Sequence, residues 1–418
     1  MQIEYIIPLL ELVGRVVAET FTSSLFIFIY LILFIIILWQ YKRLDDLSAK
    51  MIATEKRIFL GSAVVSTLLG LVGGLLGSAI LIIVGIDLAS IGIAYLWLIA
   101  LVLMLFSPRF LCFAYAGGIL AIISLLIGYP RINIPQLMGL IAILHMVESL
   151  LIVLSGHLNP VPVYIKKAGY LRGGFNLQKF WPIPLLAMVG TGYDPTAGSL
   201  LMPEWWPLVG RQANEVVVFA ILPVLAILGY GEVTTTATPE NRAKKSAGYL
   251  FLYSLTLLFL AIIADKHSQL VILPTLFSPL GHELVIWLGI REEVNKRPIY
   301  TKPPLGIMVL DLVPGSVAKK AGIKSLDVLF SIDGEVFSGL DQMNNLLKNK
   351  KGPITVGIMR QGQELDIILD YYEQHHLGII PVPEHNSPSY LHWPEDTLFH
   401  RVRGIWRRSR NWLANRWG

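Results

Sequence analysis

Runs of residues without a charged side chain dominate the first two thirds of the sequence. Four such runs, 24–40, 58–86, 88–108 and 110–130, are near or above the roughly 18–20 residues that a helix needs to cross about 30 Å of hydrocarbon. Together with later apolar segments they predict membrane-spanning helices. The predicted spans lie near 21–39, 58–85, 90–106, 110–128, 136–154, 215–230, 247–264 and 270–290.

Composition supports a polytopic membrane protein. Hydrophobic residues make up 54% of the 418 positions and charged residues only 15%, whereas soluble domains have about 25% charged residues. We expect about six to nine crossings. The number depends on residues 155–214, where the apolar segment from Phe180 to Gly190 is short and interrupted by proline. We expect no removable signal peptide, because no short apolar segment with a cleavage site precedes the first span.

The distribution of basic residues predicts the orientation. Basic clusters follow the first and fifth predicted spans and precede the span at 247, whereas the loop around Asp87 has none. All three clusters are cytoplasmic if residues 180–214 cross the membrane once, and the C-terminus is then cytoplasmic too. The clusters contain Lys42, Arg43, Lys50, Lys56, Arg57, Lys166, Lys167, Arg172, Lys179, Arg242, Lys244 and Lys245.

Beyond Pro298 the pattern changes to short β-rich runs separated by turn residues. Residues 328–337 predict a hairpin around Asp333-Gly334, a pair suited to a type I′ turn. Residues 354–369 predict a second hairpin that turns at Gln361-Gly362. Between them, residues 338–347 predict a short helix that begins with a capping box. We therefore expect three regions: a membrane part (1–298), a small α+β domain (299–371), and a linker with a basic tail (372–418).

The α+β segment resembles a bacterial PDZ domain, a peptide-binding module. The resemblance covers about 70 residues, and Ser325-Leu326 departs from the usual Pro-Gly of the signature. The matching positions are Pro314, Gly315, Ser316, Ala318, Ala321, Gly322, Asp327, Asp333 and Gly334.

The PDZ resemblance implies a groove in which an extended peptide, often a C-terminus, is added as a strand. It places the carboxylate-binding loop and the strand edge at residues 305–309, and the side-chain pocket on the short helix. The alternative, that the helix residues simply fill the core of a small domain, stays open. The implied groove residues are Leu305, Gly306, Ile307, Met308, Val309, Met343, Leu346 and Leu347.

His282-Glu283 resembles the first half of the zinc-binding motif of intramembrane site-2 proteases, which also carry PDZ domains. The second histidine of that motif is replaced by Ile286, and no third ligand is evident. The single cysteine, Cys112, excludes intramolecular disulfides and a cysteine-based zinc site. We therefore expect no catalytic residue, no metal and no cofactor, and we place His282-Glu283 near a membrane boundary.

Two ionisable residues lie within the predicted span at 136–154. His145 and Glu148 are three positions apart and therefore share one helix face. Because a charge at the bilayer centre costs roughly 2.5–3.5 kcal/mol on insertion scales, the pair should face protein or water. A structural hydrogen bond is the favoured interpretation, and a proton or ion pathway is the alternative.

The last twenty residues interleave arginine with aromatic residues. On a helix this pattern gives a basic face and an aromatic stripe, typical of a segment that lies on an anionic lipid surface. Nucleic-acid binding is the less favoured alternative, and we expect none. The predicted membrane-surface residues are Arg401, Arg403, Trp406, Arg407, Arg408, Arg410 and Trp412.

The whole chain resembles the MinJ family of cell-division proteins, polytopic proteins with one C-terminal PDZ domain. The segments 144–157, 173–186 and 279–289 carry that likeness in the membrane part. The resemblance implies a membrane scaffold, enriched at septa and poles, that bridges a DivIVA-like protein to a MinD-like division inhibitor. Two alternatives stay open: a PDZ-bearing adaptor for secretion or membrane proteolysis, and a transporter with a regulatory PDZ domain.

Overall fold

Helices form most of the N-terminal part of the computed structural model. The structure describes residues 3–52, 59–167, 170–192, 206–210, 218–348, 350–372, 377–384 and 391–392. The helices are α1 (Ile3–Thr22), α2 (Ser24–Ile52), α3 (Phe59–Val84), α4 (Ile93–Phe106), α5 (Phe113–Ile127), α6 (Ile134–Ser155), α7 (Pro239–Lys266), α8 (Ile272–Asn295), α9 (Val317–Lys320) and α10 (Leu340–Leu347).

The strands form two sheets. The first has the order β10-β1-β2-β3, and the second has the order β8-β7-β5-β4-β9, with β6 paired to β5. The strands are β1 (Val161–Lys167), β2 (Tyr170–Gly192), β3 (Val218–Thr234), β4 (Ile307–Leu312), β5 (Val328–Ile332), β6 (Glu335–Val336), β7 (Gly352–Arg360), β8 (Gln363–Tyr371), β9 (Ile379–Pro381) and β10 (Leu391–His392).

Five of the described helices are long and apolar enough to cross a membrane, which fits a membrane protein. They are α2, α3, α6, α7 and α8, and they correspond to five of the eight predicted spans. The helix α1 had no counterpart among the predicted spans.

The predicted spans 90–106 and 110–128 are two arms of one helical hairpin. At about 1.5 Å per residue, α4 and α5 reach little more than 20 Å, less than the hydrocarbon thickness. Their outer ends lie together, because the Asn133 N–H bonds the Ser90 carbonyl at 2.8 Å and the Tyr95 and Tyr129 hydroxyls are 2.6 Å apart. Both outer ends of the hairpin therefore lie at the same end of the bundle, and each arm is shorter than a membrane-spanning helix.

The predicted helix at 215–230 is wrong, because most of these residues form β3. This strand pairs antiparallel with β2 from Phe175↔Thr234 to Gly192↔Val218. The expected single crossing of residues 180–214 is likewise replaced by one leg of this hairpin. The β2–β3 hairpin thus replaces the two predicted crossings. Because its two strands are antiparallel, the residues before β2 and after β3 lie at the same end of the bundle.

The long hairpin packs directly on α3. A Cβ at Gly70 or Gly74 would lie 2.3 and 2.2 Å from the carbonyl oxygens of Pro182 and Pro184, so only glycine permits this approach. Small residues in a membrane helix commonly serve the close packing of another helix. On this face they admit a strand instead. On the other side of β2, the buried Trp181 indole donates to Ser155 Oγ of α6 at 3.0 Å.

The C-terminal module, residues 299–384, contains both predicted hairpins. Asp333 and Gly334 have φ values of 49° and 83° at the first turn, and Gln361 and Gly362 have 51° and 81° at the second. The predicted helix is α10. Gly339 is its N-cap and makes no side-chain hydrogen bond, so the expected capping box is absent there.

The module contacts the membrane part through β1 and β2 of the first sheet. The Gly173 N–H donates to the Tyr300 carbonyl at 3.0 Å, and the Tyr164 hydroxyl donates to the Pro381 carbonyl at 3.0 Å. Leu310 and Ile380 belong to the same buried cluster as Tyr164. The module therefore lies at the end of the sheet where β2 begins and β3 ends.

Candidate functional site

A polar cluster lies inside the membrane bundle where three elements meet. Its members are Arg109, Cys112, His145, His282 and Glu283, and we call them the buried cluster. Arg109 and Cys112 come from the tip of the α4–α5 hairpin, His145 from the middle of α6, and the last two from the middle of α8. His282-Glu283 was expected near a membrane boundary. The structure corrects this, because ten residues of α8 precede His282.

The two histidines of the buried cluster converge on Cys112. The thiol Sγ lies 3.2 Å from His145 Nε2 and 3.6 Å from His282 Nε2. The opposite nitrogen of His145, Nδ1, lies 2.7 Å from the Ile141 carbonyl, so it carries a proton and donates it there. Because one nitrogen of a neutral imidazole is then protonated, His145 Nε2 faces the thiol as an acceptor.

Glu283, the residue after His282, accepts hydrogen bonds from two side chains. Its Oε2 accepts from the Arg109 guanidinium and from the Tyr115 hydroxyl, the latter at 2.7 Å. Its Oε1 is buried and has no hydrogen-bond partner among the described residues. Breaking such a buried ion pair is costly, since it leaves an uncompensated charge away from water.

Aromatic rings enclose the imidazoles. The Tyr253 ring lies edge-on to both His145 and His282, with centroids 5.4 and 5.7 Å apart. Tyr115 packs in the same way on His282 at 5.2 Å. These contacts fix the ring planes, as a preorganised site requires.

The predicted His145–Glu148 pair is only partly reproduced. His145 bonds Cys112 and Ile141, and no described hydrogen bond joins it to Glu148. Sequence reasoning found His145 and overlooked its partnership with Cys112 and His282. The available signal was that polar residues interrupt three separate apolar segments, since such residues inside a membrane usually have a function.

The predicted edge of β4 is already paired on both sides. Ile307 and Met308 pair with β5, and the other edge pairs with β9 through Val309↔Pro381 and Leu312↔Ile379. Gly306 keeps its positive φ of 75°, but a Cβ there would lie 2.0 Å from the Leu329 carbonyl, so the residue packs against β5. Leu305 is exposed. Among the described residues, the outer strand on this side of the sheet is therefore β9, and residues 305–309 do not lie at an edge.

The strand β9 begins after Leu377-Gly378, beyond the predicted end of the module at 371. Gly378 has a φ of 74°, which favours glycine, and its carbonyl accepts from the Val313 N–H at 2.8 Å. The Val382 N–H bonds the Met308 carbonyl at 2.9 Å. Because bonded residues alternate along a strand, the backbone groups of Ile379 point to the outer edge of the sheet.

The helix α10 lies beside this edge. The Leu340 N–H donates to the Glu384 carboxylate at 3.4 Å, and Ile379 packs on the same apolar cluster as α10. Met343 and Leu347 are 5% and 6% exposed and fill the module core, as the alternative interpretation held. Leu346 is half-buried and remains accessible to a ligand.

The predicted membrane-surface residues lie outside the described residues. They are Arg401, Arg403, Trp406, Arg407, Arg408, Arg410 and Trp412.

No family model and no curated protein matches the chain. Among solved structures, a chain described as "HtrA-type protease AlgW with decapeptide" is similar over 25% of this chain and 35% of its own length. The identity is 18% and the TM-score is 0.16.

Proposed function

We propose that the chain is a membrane-anchored adaptor, and not an enzyme, whose PDZ-like C-terminal module binds an extended peptide of a partner protein. The observation that supports this most directly is the outer edge of β9 beside α10. An incoming strand can bond the outward backbone groups of Ile379.

The accessible edge is short. The Pro381 carbonyl already accepts from Tyr164 of β1, and proline has no N–H to donate. A ligand would therefore be held mainly at Ile379, with a side chain against Leu346.

For the biological role we propose division-site selection, as the MinJ resemblance implies. In this proposal the module recruits a DivIVA-like or MinD-like partner to septa and poles, and the module and basic tail are cytoplasmic. The tail would add contacts to anionic lipid, each basic residue contributing about 1 kcal/mol near such a surface.

Fluorescence microscopy of a full-length fusion in a Gram-positive host tests both parts. Leu346→Asp puts a charge beside the β9 edge, whereas Leu365→Asp changes a 40% exposed leucine on β8, at the opposite edge of the sheet. We expect the native fusion and Leu365→Asp to form septal and polar bands, and Leu346→Asp to spread evenly at equal protein levels.

The two parts fail in different ways. An even ring for the native fusion would contradict the division role. Bands that persist in Leu346→Asp would remove this groove from the mechanism. Thermal unfolding of both variants in detergent verifies that the module is folded.

A further inference from the structure

We propose that Cys112, His145 and His282 bind one divalent transition-metal ion of the Zn²⁺ class inside the membrane bundle. This inference is independent of the adaptor role. It departs from the sequence analysis, which set metal binding aside because Cys112 is the only cysteine and His282 lacks its companion at position 286.

The separations of the donor atoms fit such an ion. Zn²⁺ bonds sulfur at about 2.3 Å and imidazole nitrogen at about 2.0–2.1 Å, so tetrahedral geometry puts the two donors about 3.5 Å apart. The observed Sγ–Nε2 distances are 3.2 Å to His145 and 3.6 Å to His282. One donor atom from each of the three residues lies within 4.8 Å of the other two.

The type of donor selects the class of metal. A thiolate with two imidazoles suits Zn²⁺ and related ions, whereas Mg²⁺ and Ca²⁺ prefer oxygen ligands. Three protein ligands leave a fourth position for water or a substrate, as in catalytic rather than structural zinc sites.

The surroundings orient the ligands. The His145 Nδ1–H bond to Ile141 leaves Nε2 for the metal, the usual outer contact of a ligating histidine. The edges of Tyr115 and Tyr253 hold His282, whose Nδ1 is buried without a partner among the described residues.

The local charge is also compatible with a cation. A divalent ion with one thiolate leaves a single positive charge. Arg109 is already paired with Glu283. Glu148, the nearest acidic residue along α6, lies one helical turn after His145 and shares its helix face.

The test uses the full chain in detergent, purified with a tag that lacks histidine and cysteine. Inductively coupled plasma mass spectrometry should find stoichiometric Zn²⁺ after loading and removal of loose metal. Exchange for Co²⁺ should give a thiolate-to-metal absorption band. Because the 418 residues contain one cysteine, this band can come only from Cys112, so it requires no variant.

His145→Ala and His282→Ala identify the other ligands. Loss of an outer contact typically lowers metal affinity about 10–100-fold, so loss of a ligand should lower it by at least as much. The control is His267→Ala, an exposed histidine after α7, which should retain full binding. A folded native protein with neither bound Zn²⁺ nor the cobalt band would overturn the proposal, as would unchanged affinity in both ligand variants.

Discussion

Glu293 joins α8 to the residues that follow β3, at the end of the bundle that contacts the module. Its carboxylate is 1% exposed and accepts three bonds shorter than 2.8 Å: two at 2.6 Å from the N–H and hydroxyl of Thr235, and one at 2.7 Å from the Thr236 hydroxyl. A buried carboxylate with this many donors is stabilising only as a complete set. These hydrogen bonds therefore hold the residues that follow β3 against α8.

We expect Glu293→Ala to lower the unfolding temperature of the full chain in detergent. Each donor left without an acceptor costs about 1–3 kcal/mol. Glu240→Ala is the matched control, because that side chain is 58% exposed and pairs with Lys244 at the surface of α7. Equal unfolding temperatures for the two variants would show that the Glu293 network contributes nothing.

At the scale of elements, the long strand β2 accommodates two prolines that lie two positions apart, Pro182 and Pro184. The strand pairs with β1 only up to Asn176, so beyond that point one of its edges is free of ladder bonds. Pro182 and Pro184 lie in this part, where a missing N–H costs little. Their carbonyls face the glycines of α3, so the strand takes the place of a neighbouring helix.

Two glycine-to-alanine changes should differ in their effect on the stability of the bundle. Gly74→Ala puts a Cβ 2.2 Å from the Pro184 carbonyl and should destabilise the bundle. Gly248→Ala, in α7, meets nothing within 4 Å and should be neutral or stabilising by up to about 1 kcal/mol, because alanine favours helix. Thermal unfolding in detergent measures both. A tolerated Gly74→Ala would contradict the close packing of α3 on β2.

At the scale of the whole molecule, the α4–α5 hairpin determines how the ends of the bundle are arranged. Both of its outer ends lie near Asn133, and its tip lies beside the middle of α6. Non-helical backbone at this depth is tolerated where protein surrounds it. At the tip, Cys112 contacts His145 of α6 and Arg109 contacts Glu283 of α8, and the buried cluster forms from this arrangement.

Single cysteines in a Cys112→Ala background test this topology with a membrane-impermeant thiol reagent. Ser90→Cys and Tyr129→Cys should label from the same side, and Lys244→Cys, on exposed α7 surface, from the opposite side. Ser107→Cys, at the tip, should label from neither. Labelling of position 107 from the Lys244 side would mean that α4 and α5 cross the membrane separately.

Local signals in the sequence were enough for many elements. Long apolar segments determined α2, α3, α6, α7 and α8, because such a segment has few alternatives to a membrane helix. Asp333-Gly334 and Gln361-Gly362 determined the two hairpins of the module, because few residues adopt a positive φ at low cost. These features depend on neighbours within a few positions.

Tertiary structure alone decided the rest. The apolar residues of β3 have no period that separates a strand from a buried helix, and the choice depended on β2 and α3. The edge of β4 was lost to β9, which is distant in sequence. Cys112, His145 and His282 come from three elements, and no spacing within one segment could have joined them. Such contacts arise only when complementary surfaces of the folded chain meet, which is why the sequence alone did not reveal them.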